Sequence, residues 1–337
     1  MVARAARQTG AQQSIRRLNP LRDLGQVADV IEEGFGPSLT QAGHRALREM
    51  RFLSRLGPLL WWLVVTSPDF REYHSGFVWT EGGRVVGTLH VTRSGRHARR
   101  WLISNVAVRV DYRGRGIARA LMEAALDWAQ EQGGESVFLR VRRDNAAAWS
   151  LYDSLGFQPL LDAVDLWLAQ VLRVQRVQVA GSETSLEPYS SRQWRQVREL
   201  AQLTVPSNLR WLEVMDIADF QMTLDRRLAE WWTGLTTGRK TWRVVAKRGE
   251  RVIAAMSVKA AGHRGNHSLV LHVHPSHRGE LEEVLVTEAL SRLWLRRDRS
   301  IYVTLPVGYG EVLDVLKKHG FVEHHTLTLM RRPLGRF

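Results

Sequence analysis

The chain has 337 residues, 44% of them apolar and 24% charged, a composition typical of a soluble globular protein with room for two domains of roughly 150 residues. It has no cysteine, which excludes disulfides, thiolate metal sites and a cysteine nucleophile. Its longest apolar run, residues 59–65, is far shorter than the roughly 20 residues that span a bilayer. The net charge of +14 suits a polyanionic partner such as a phosphorylated cofactor, but no zinc-finger spacing or RNP-like strand points to nucleic acid. With no secretory h-region behind the basic start, a cytoplasmic protein with a flexible basic tail over 1–13 is expected.

In chain order, residues 14–18 read as a short strand and 20–35 as a helix with proline in its first turn. A second helix over 41–56 should stop at Gly57-Pro58, with Arg48, Arg51 and Arg55 forming a basic stripe on a solvated face. Residues 77–80 and 84–91 flank Glu81-Gly82-Gly83 as a hairpin, and 101–108 suits a strand buried on both faces. Next come Arg113-Gly114-Arg115-Gly116 and a helix with Ile117, Leu121, Ala124, Ala125 and Trp128 on one face. Gly133-Gly134 ends it, 137–141 is the next strand, and a short helix capped by Asp144 or Asn145 stops at Gly156. Strand, glycine-rich loop, helix, strand is the order of a right-handed parallel crossover.

The second half repeats this order. Residues 184–188 and a helix from Ser191 mirror the opening, and Lys247 to Ile253 mirrors Glu81 to Val86. The stretch from Val273 to Gly279 follows Val108 to Gly114 by 165 residues, and Gly320-Phe321 follows Gly156-Phe157 by 164. Four matches in order argue for an internal duplication with a linker near Gly181-Ser182.

A glycine-rich turn entering a helix makes an anion cradle. The first-turn amides are unpaired and partly positive, Gly114 and Gly116 allow close backbone approach, and Arg113 and Arg115 add charged donors. The flanks identify this stretch as resembling the GNAT superfamily of acyl-CoA-dependent N-acetyltransferases. Arg113, Gly116 and Ala118 fill its Gln/Arg-x-x-Gly-x-Gly/Ala signature, and Asn145, Tyr152, Gly156 and Phe157 fill its second motif. The wording is similar to the ribosomal-protein N-terminal alanine acetyltransferases.

The resemblance implies an α/β architecture of two tandem acyl-CoA N-acetyltransferase folds around mixed sheets, a catalytic domain over 14–173 and a degenerate one over 184–335. It implies acetyl-CoA as co-substrate, no metal, and a primary amine, small molecule or protein N-terminus, as acceptor. The pyrophosphate would lie on Arg113, Gly114, Arg115, Gly116, Ile117 and Ala118, with Arg119 and Asn145 also contacting the cofactor. Val106, Ala107 and Val108 would pair with the pantetheine arm along a bulged strand, the Val108 N–H would receive the oxyanion, and Tyr152 would protonate the leaving thiolate. Arg140 stands where the look-alike subgroup has an acid, leaving His90 or a carboxylate acting through water as base candidates.

By the same offsets, the second-half cradle reads Glu280, Leu281, Glu282 and Glu283, Tyr152 becomes Leu316 and Asn145 becomes Tyr309. No acyl-CoA binding is expected there. His272, His274 and His277 read as a polar surface cluster, and Trp61-Trp62 and Trp231-Trp232 as core or inter-domain packing. The missing base and altered second half leave a non-catalytic acyl-CoA-binding or regulatory protein as the competing reading.

Overall fold

The structure, a computed structural model, describes residues 13–36, 39, 41–66, 74–93, 99–177, 183–203, 219–262 and 265–335. The tail over 1–12 and the expected linker at Gly181-Ser182 lie outside them. The chain divides into two compact units, one of residues 1–160 with 328–337 and the other of 161–327.

Unit 1 begins with β1 (Gln13–Arg17) and α1 (Pro20–Phe35). The Asn19 side chain caps α1 by accepting from the Leu21 amide at 3.0 Å, and Pro20 sits where no amide partner is needed. α2 (Gln41–Arg55) follows, where Arg51 pairs with Asp29 and Glu32 of α1 while Arg48 and Arg55 stay exposed. α2 ends just before Gly57-Pro58 as expected, and a further helix not expected from the sequence, α3 (Gly57–Thr66), starts there, because proline is tolerated in a first helical turn. β2 (Gly76–Glu81), β3 (Arg84–Arg93), β4 (Arg100–Val108), α4 (Ile117–Glu131), β5 (Ser136–Arg142) and α5 (Ala146–Ser154) complete the run.

The sheet order is β1-β2-β3-β4-β5, then the end of β12 (Val322–Pro333). Strands run antiparallel up to β4, and β4 and β5 are parallel. The two faces follow strand alternation. Leu89, Ile103, Val137, Leu139 and Met330 pack with Leu121, Met122 and Ala125 of α4, while Val78, Val85 and Ala107 pack with Leu24, Val27 and Ile31 of α1. Each of the Val, Leu, Ile and Met side chains among them, fully buried, contributes roughly 1.5–3 kcal/mol. β4 is not buried along its whole length: Trp101, Ile103 and Ala107 are buried, but Asn105 is exposed.

Unit 2 has the sheet order β7-β8-β9-β10-β11-β6, made by β6 (Gln158–Leu168), β7 (Thr184–Pro188), β8 (Lys240–Arg248), β9 (Arg251–Ala260), β10 (His267–Val273) and β11 (Ile301–Pro306). β10 and β11 are parallel, and the other pairs antiparallel. Its helices are α6 (Trp194–Leu203), α7 (Leu224–Thr237), α8 (Glu282–Leu293) and α9 (Gly310–Lys318).

The duplication extends to individual hydrogen bonds. Gln26 Oε1 accepts from the Val85 amide at 2.9 Å, and Gln196 Oε1 from the Val252 amide at 2.7 Å. The Arg109 amide donates to Val86 O, as the His274 amide does to Ile253 O; Phe157 to Tyr152 O is repeated by Phe321 to Leu316 O.

Three expectations change. The units are not two contiguous halves: 161–168 completes the sheet of unit 2 through β11, and 328–333 completes that of unit 1, so Leu166 and Leu168 lie in one core and Met330 in the other. Trp61, Trp62, Trp231 and Trp232, 55–62% exposed, are not core residues; among the described side chains of α3, Leu60 at 1% is the buried one. His272 is buried on β10 rather than part of a surface cluster, and His274 lies beyond the strand as a cap for the next turn.

Candidate active site

In unit 1 the pairing of β3 with β4 runs Gly87 to Val108 and Thr88 to Ala107, then resumes at His90 to Ser104, so β4 carries one extra residue. The bulge centres on Asn105, the one non-glycine with positive φ (53°) among the described residues. β4 and β5 pair only from Arg100 with Ser136 to Ile103 with Leu139, so beyond the bulge β4 has no paired neighbour on that side. The Arg109 amide points at Val86 of β3; by alternation Ala107 also turns toward β3, and Val106 and Val108 toward the opening. On that side the Val108 carbonyl accepts from Arg113 Nε at 3.2 Å.

The opening leads to the cradle. Gly114 (φ +76°) and Gly116 (φ +77°) are left-handed, and nothing lies within 4 Å of where a Cβ would stand at either. Gly116 is the N-cap of α4 and makes no side-chain cap, so no cap side chain takes the amides of the first turn at Ile117 and Ala118. Arg115 donates to Asp111 O at 2.9 Å and stacks over Tyr112, and Arg119 reaches Ser154 Oγ at 2.6 Å, tying α4 to α5. Gly87 sets the height of α4 on the sheet, since a Cβ there would stand 2.8 Å from Ile117 Cγ2 and 3.1 Å from Leu121 Cδ1. These features fit a diphosphate: open amides, a helix N-terminus and flanking guanidinium groups.

Two residues that sequence reasoning missed hold the loop before the cradle and the strand beside it. Glu33 of α1 accepts from Arg109 Nη1 and from the Val110 amide, both at 2.7 Å, and Gln26 holds β3. Contacts between residues about 76 positions apart leave no local pattern.

Tyr152 lies on α5, 7% exposed, in the same apolar cluster that Val106 and Val108 pack against. Desolvation pushes its hydroxyl pKa up to about 12. Its placement comes from both helix ends: Asn145 Oδ1 accepts from the Ala148 amide at 3.1 Å, and Gly156 (φ +79°) lets the Phe157 amide return to Tyr152 O at 3.0 Å. The Asn145 side-chain oxygen is thus used as a helix cap. His90 is buried with Nδ1 3.3 Å from Asn105 Nδ2; burial, then neighbouring His74, lowers its pKa to about 4. Arg140 is exposed on β5. Among the described residues no three acidic or histidine side chains gather as a metal site, and no helix is long and apolar enough to cross a membrane.

Unit 2 lacks these features at the matching positions. β9 and β10 pair without a shift from Ser268 with Lys259 to Val273 with Ala254, so no bulge opens that strand. Leu316 is fully buried where Tyr152 stands in unit 1, and Tyr309 begins α9 without a side-chain cap.

The Acetyltransferase (GNAT) family model matches residues 41–157. The chain is 33% identical over 123 residues to the N-alpha-acetyltransferase RimI of Mycobacterium tuberculosis, a match covering 36% of this chain and 76% of that one. It is 47% identical over 53 residues to the [Ribosomal protein bS18]-alanine N-acetyltransferase of Escherichia coli strain K12, covering 16% of this chain and 36% of that enzyme. Two solved structures share the fold across nearly the whole chain. A GCN5-related N-acetyltransferase from Sphaerobacter thermophilus has a TM-score of 0.64 at 14% identity, covering 97% of both chains. A tandem GNAT protein from the clavulanic acid biosynthesis pathway has a TM-score of 0.61 at 17% identity, covering 97% of this chain and 100% of that one. The chain belongs to the GNAT family of acetyltransferases and is an acyl-CoA-dependent N-acetyltransferase with tandem GNAT folds.

Proposed function

We propose that unit 1 transfers the acetyl group of acetyl-CoA directly to an amine of low basicity, an α-amine of a small molecule or of a protein N-terminus. The observation that carries this reading is the continuity of bulge, opening and cradle along β4 and the start of α4. The diphosphate sits on the amides of Gly114 to Ala118, flanked by Arg113, Arg115 and Arg119. The pantetheine arm runs beside Val106 and Val108; Ala107, whose amide turns toward β3, contributes packing instead.

The amine nitrogen attacks the thioester carbon, and the Val108 N–H donates to the oxyanion, an interaction worth about 3 kcal/mol when well aimed. The carbon–sulfur bond then breaks, the thiolate takes the Tyr152 proton, the new amide nitrogen gives its proton to water, and the Tyr152 phenolate takes a proton back from water. The substrate class follows from the weakness of the available base. Arg140 cannot accept a proton, and His90 at about 4 is neutral but a poor base. An α-amine with a pKa near about 8 presents a useful neutral fraction at neutral pH without help, whereas a lysine amine at about 10.4 does not.

The test is calorimetric titration of acetyl-CoA into the wild type and Gly116→Glu, followed by a rate–pH profile on a peptide with a free N-terminus. One site, lost on substitution, and a rate that rises as pH passes the acceptor's own pKa support the reading. Binding unaffected by Gly116→Glu, or a lysine side chain preferred over an α-amine, overturns it.

A further inference from the structure

The second unit keeps half of a cradle. Gly279 (φ +84°) is left-handed like its counterpart Gly114 (φ +76°). Two positions on the copies part: Gly116 is left-handed, whereas Leu281 has φ −110° and buries its side chain in the unit 2 core. Glu282, the first residue of α8, then turns back over the helix start. Its Oε2 accepts from the Gly279 amide at 2.8 Å and from the Leu281 amide at 3.2 Å.

Glu282 is 1% exposed, and its Oε1 is buried with no hydrogen-bond partner. A buried carboxyl group with one unsatisfied oxygen is costly: desolvation raises its pKa above the ordinary carboxylate value, and the backbone amides at the start of α8 that donate to it act in the opposite direction. The adjacent acids are directed elsewhere. Glu280 pairs with Arg248 and His277, and Glu283 with Lys318 and His319. General repulsion by three carboxylates is therefore not the physical situation; one carboxylate occupies the cradle.

We propose that Glu282 is the residue that excludes acyl-CoA from unit 2. Its carboxyl group occupies amides equivalent to those that unit 1 leaves for a diphosphate, so the chain takes one acyl-CoA for two acetyltransferase folds. The inference rests on the reading of the unit 1 cradle as the diphosphate site.

The experiment titrates CoA into wild type, Glu282→Ala, Gly116→Glu and the double variant, with folding followed by circular dichroism. Inorganic pyrophosphate serves as a second probe, read by the melting temperature of Gly116→Glu with and without Glu282→Ala. The stoichiometry is expected to rise from one to two on Glu282→Ala and from none to one when Glu282→Ala is added to Gly116→Glu. Pyrophosphate should stabilise the double variant and not the single one. A folded Glu282→Ala protein with one CoA site and no pyrophosphate effect overturns the proposal, as do two sites in the wild type. Should no variant bind CoA, the unit 1 reading fails while the pyrophosphate comparison still decides the role of Glu282. Glu282→Gln, of the same size but uncharged, replaces the alanine variant if that one unfolds, and a gain in pyrophosphate stabilisation is again the expected result.

Discussion

The hydroxyl of Tyr152 combines two properties that a leaving-group acid needs: it stays protonated, and it lies in the cluster that lines the opening beside Val106 and Val108. Tyr152→Phe is expected to lower kcat by about 10²–10⁴-fold while leaving the Kd for CoA within about twofold, measured by steady-state kinetics and calorimetry. Its place seven residues after Asn145 and four before Gly156 was legible in the sequence; its desolvation was not, because that depends on strands far away in the chain. The buried histidines carry a second prediction. His74, His90 and His272 each have a pKa lowered to about 4, chiefly by burial, from the ordinary value of 6.5. Unfolded chains bind these protons first, so stability is fully present above about pH 6.5 and is lost as pH falls toward 4, with a slope of up to about 1.4 kcal/mol per pH unit for each histidine. Denaturant melts at pH 7, 5.5 and 4 read the slope, and His90→Gln should flatten part of it; a flat wild-type profile would count against this burial.

The cradle depends on how α4 rests on β3, and one glycine decides that. Gly87→Ala sets a methyl group against Ile117 and Leu121 and should cost about 1–3 kcal/mol while weakening CoA binding, because α4 and its first-turn amides must shift. Gly83→Ala is the control: it strains a left-handed hairpin turn (φ +77°) with no neighbour near, so comparable destabilisation should leave CoA affinity unchanged. Equal loss of affinity in both variants would detach α4 packing from the cradle. The elements themselves were readable from pattern: the bounds of β7 agree residue for residue with expectation, and α1 begins and ends about where its helix was expected. α3 was hidden because Gly57-Pro58 signals a break and also suits a first helical turn. The bulge was expected only through family resemblance, since Asn105 carries no local mark of a left-handed backbone.

Over the whole molecule, the exchange of terminal strands governs what can fold alone. Thr328 and Met330 are buried in unit 1, and the Leu334 amide donates to Glu135 O at 2.9 Å. A fragment of residues 1–173 should therefore be insoluble or poorly cooperative in thermal melts, and joining 322–337 to its end by a flexible linker should restore a cooperative transition. A well-folded 1–173 fragment would show that the last strand is dispensable.

The sequence alone determined what is local and periodic: helix and strand registers, the glycines of the cradle, the Asn145 to Phe157 motif and the duplication at constant offset. These signals arise from backbone preference and spacing, which short segments carry by themselves. The tertiary structure decided which strand completes which core, which face of α3 and α7 stays exposed, where Glu33 anchors the loop before the cradle, and that Glu282 alone fills the second cradle. Each depends on groups brought together from distant positions, where burial and hydrogen-bond satisfaction, not local preference, select the outcome.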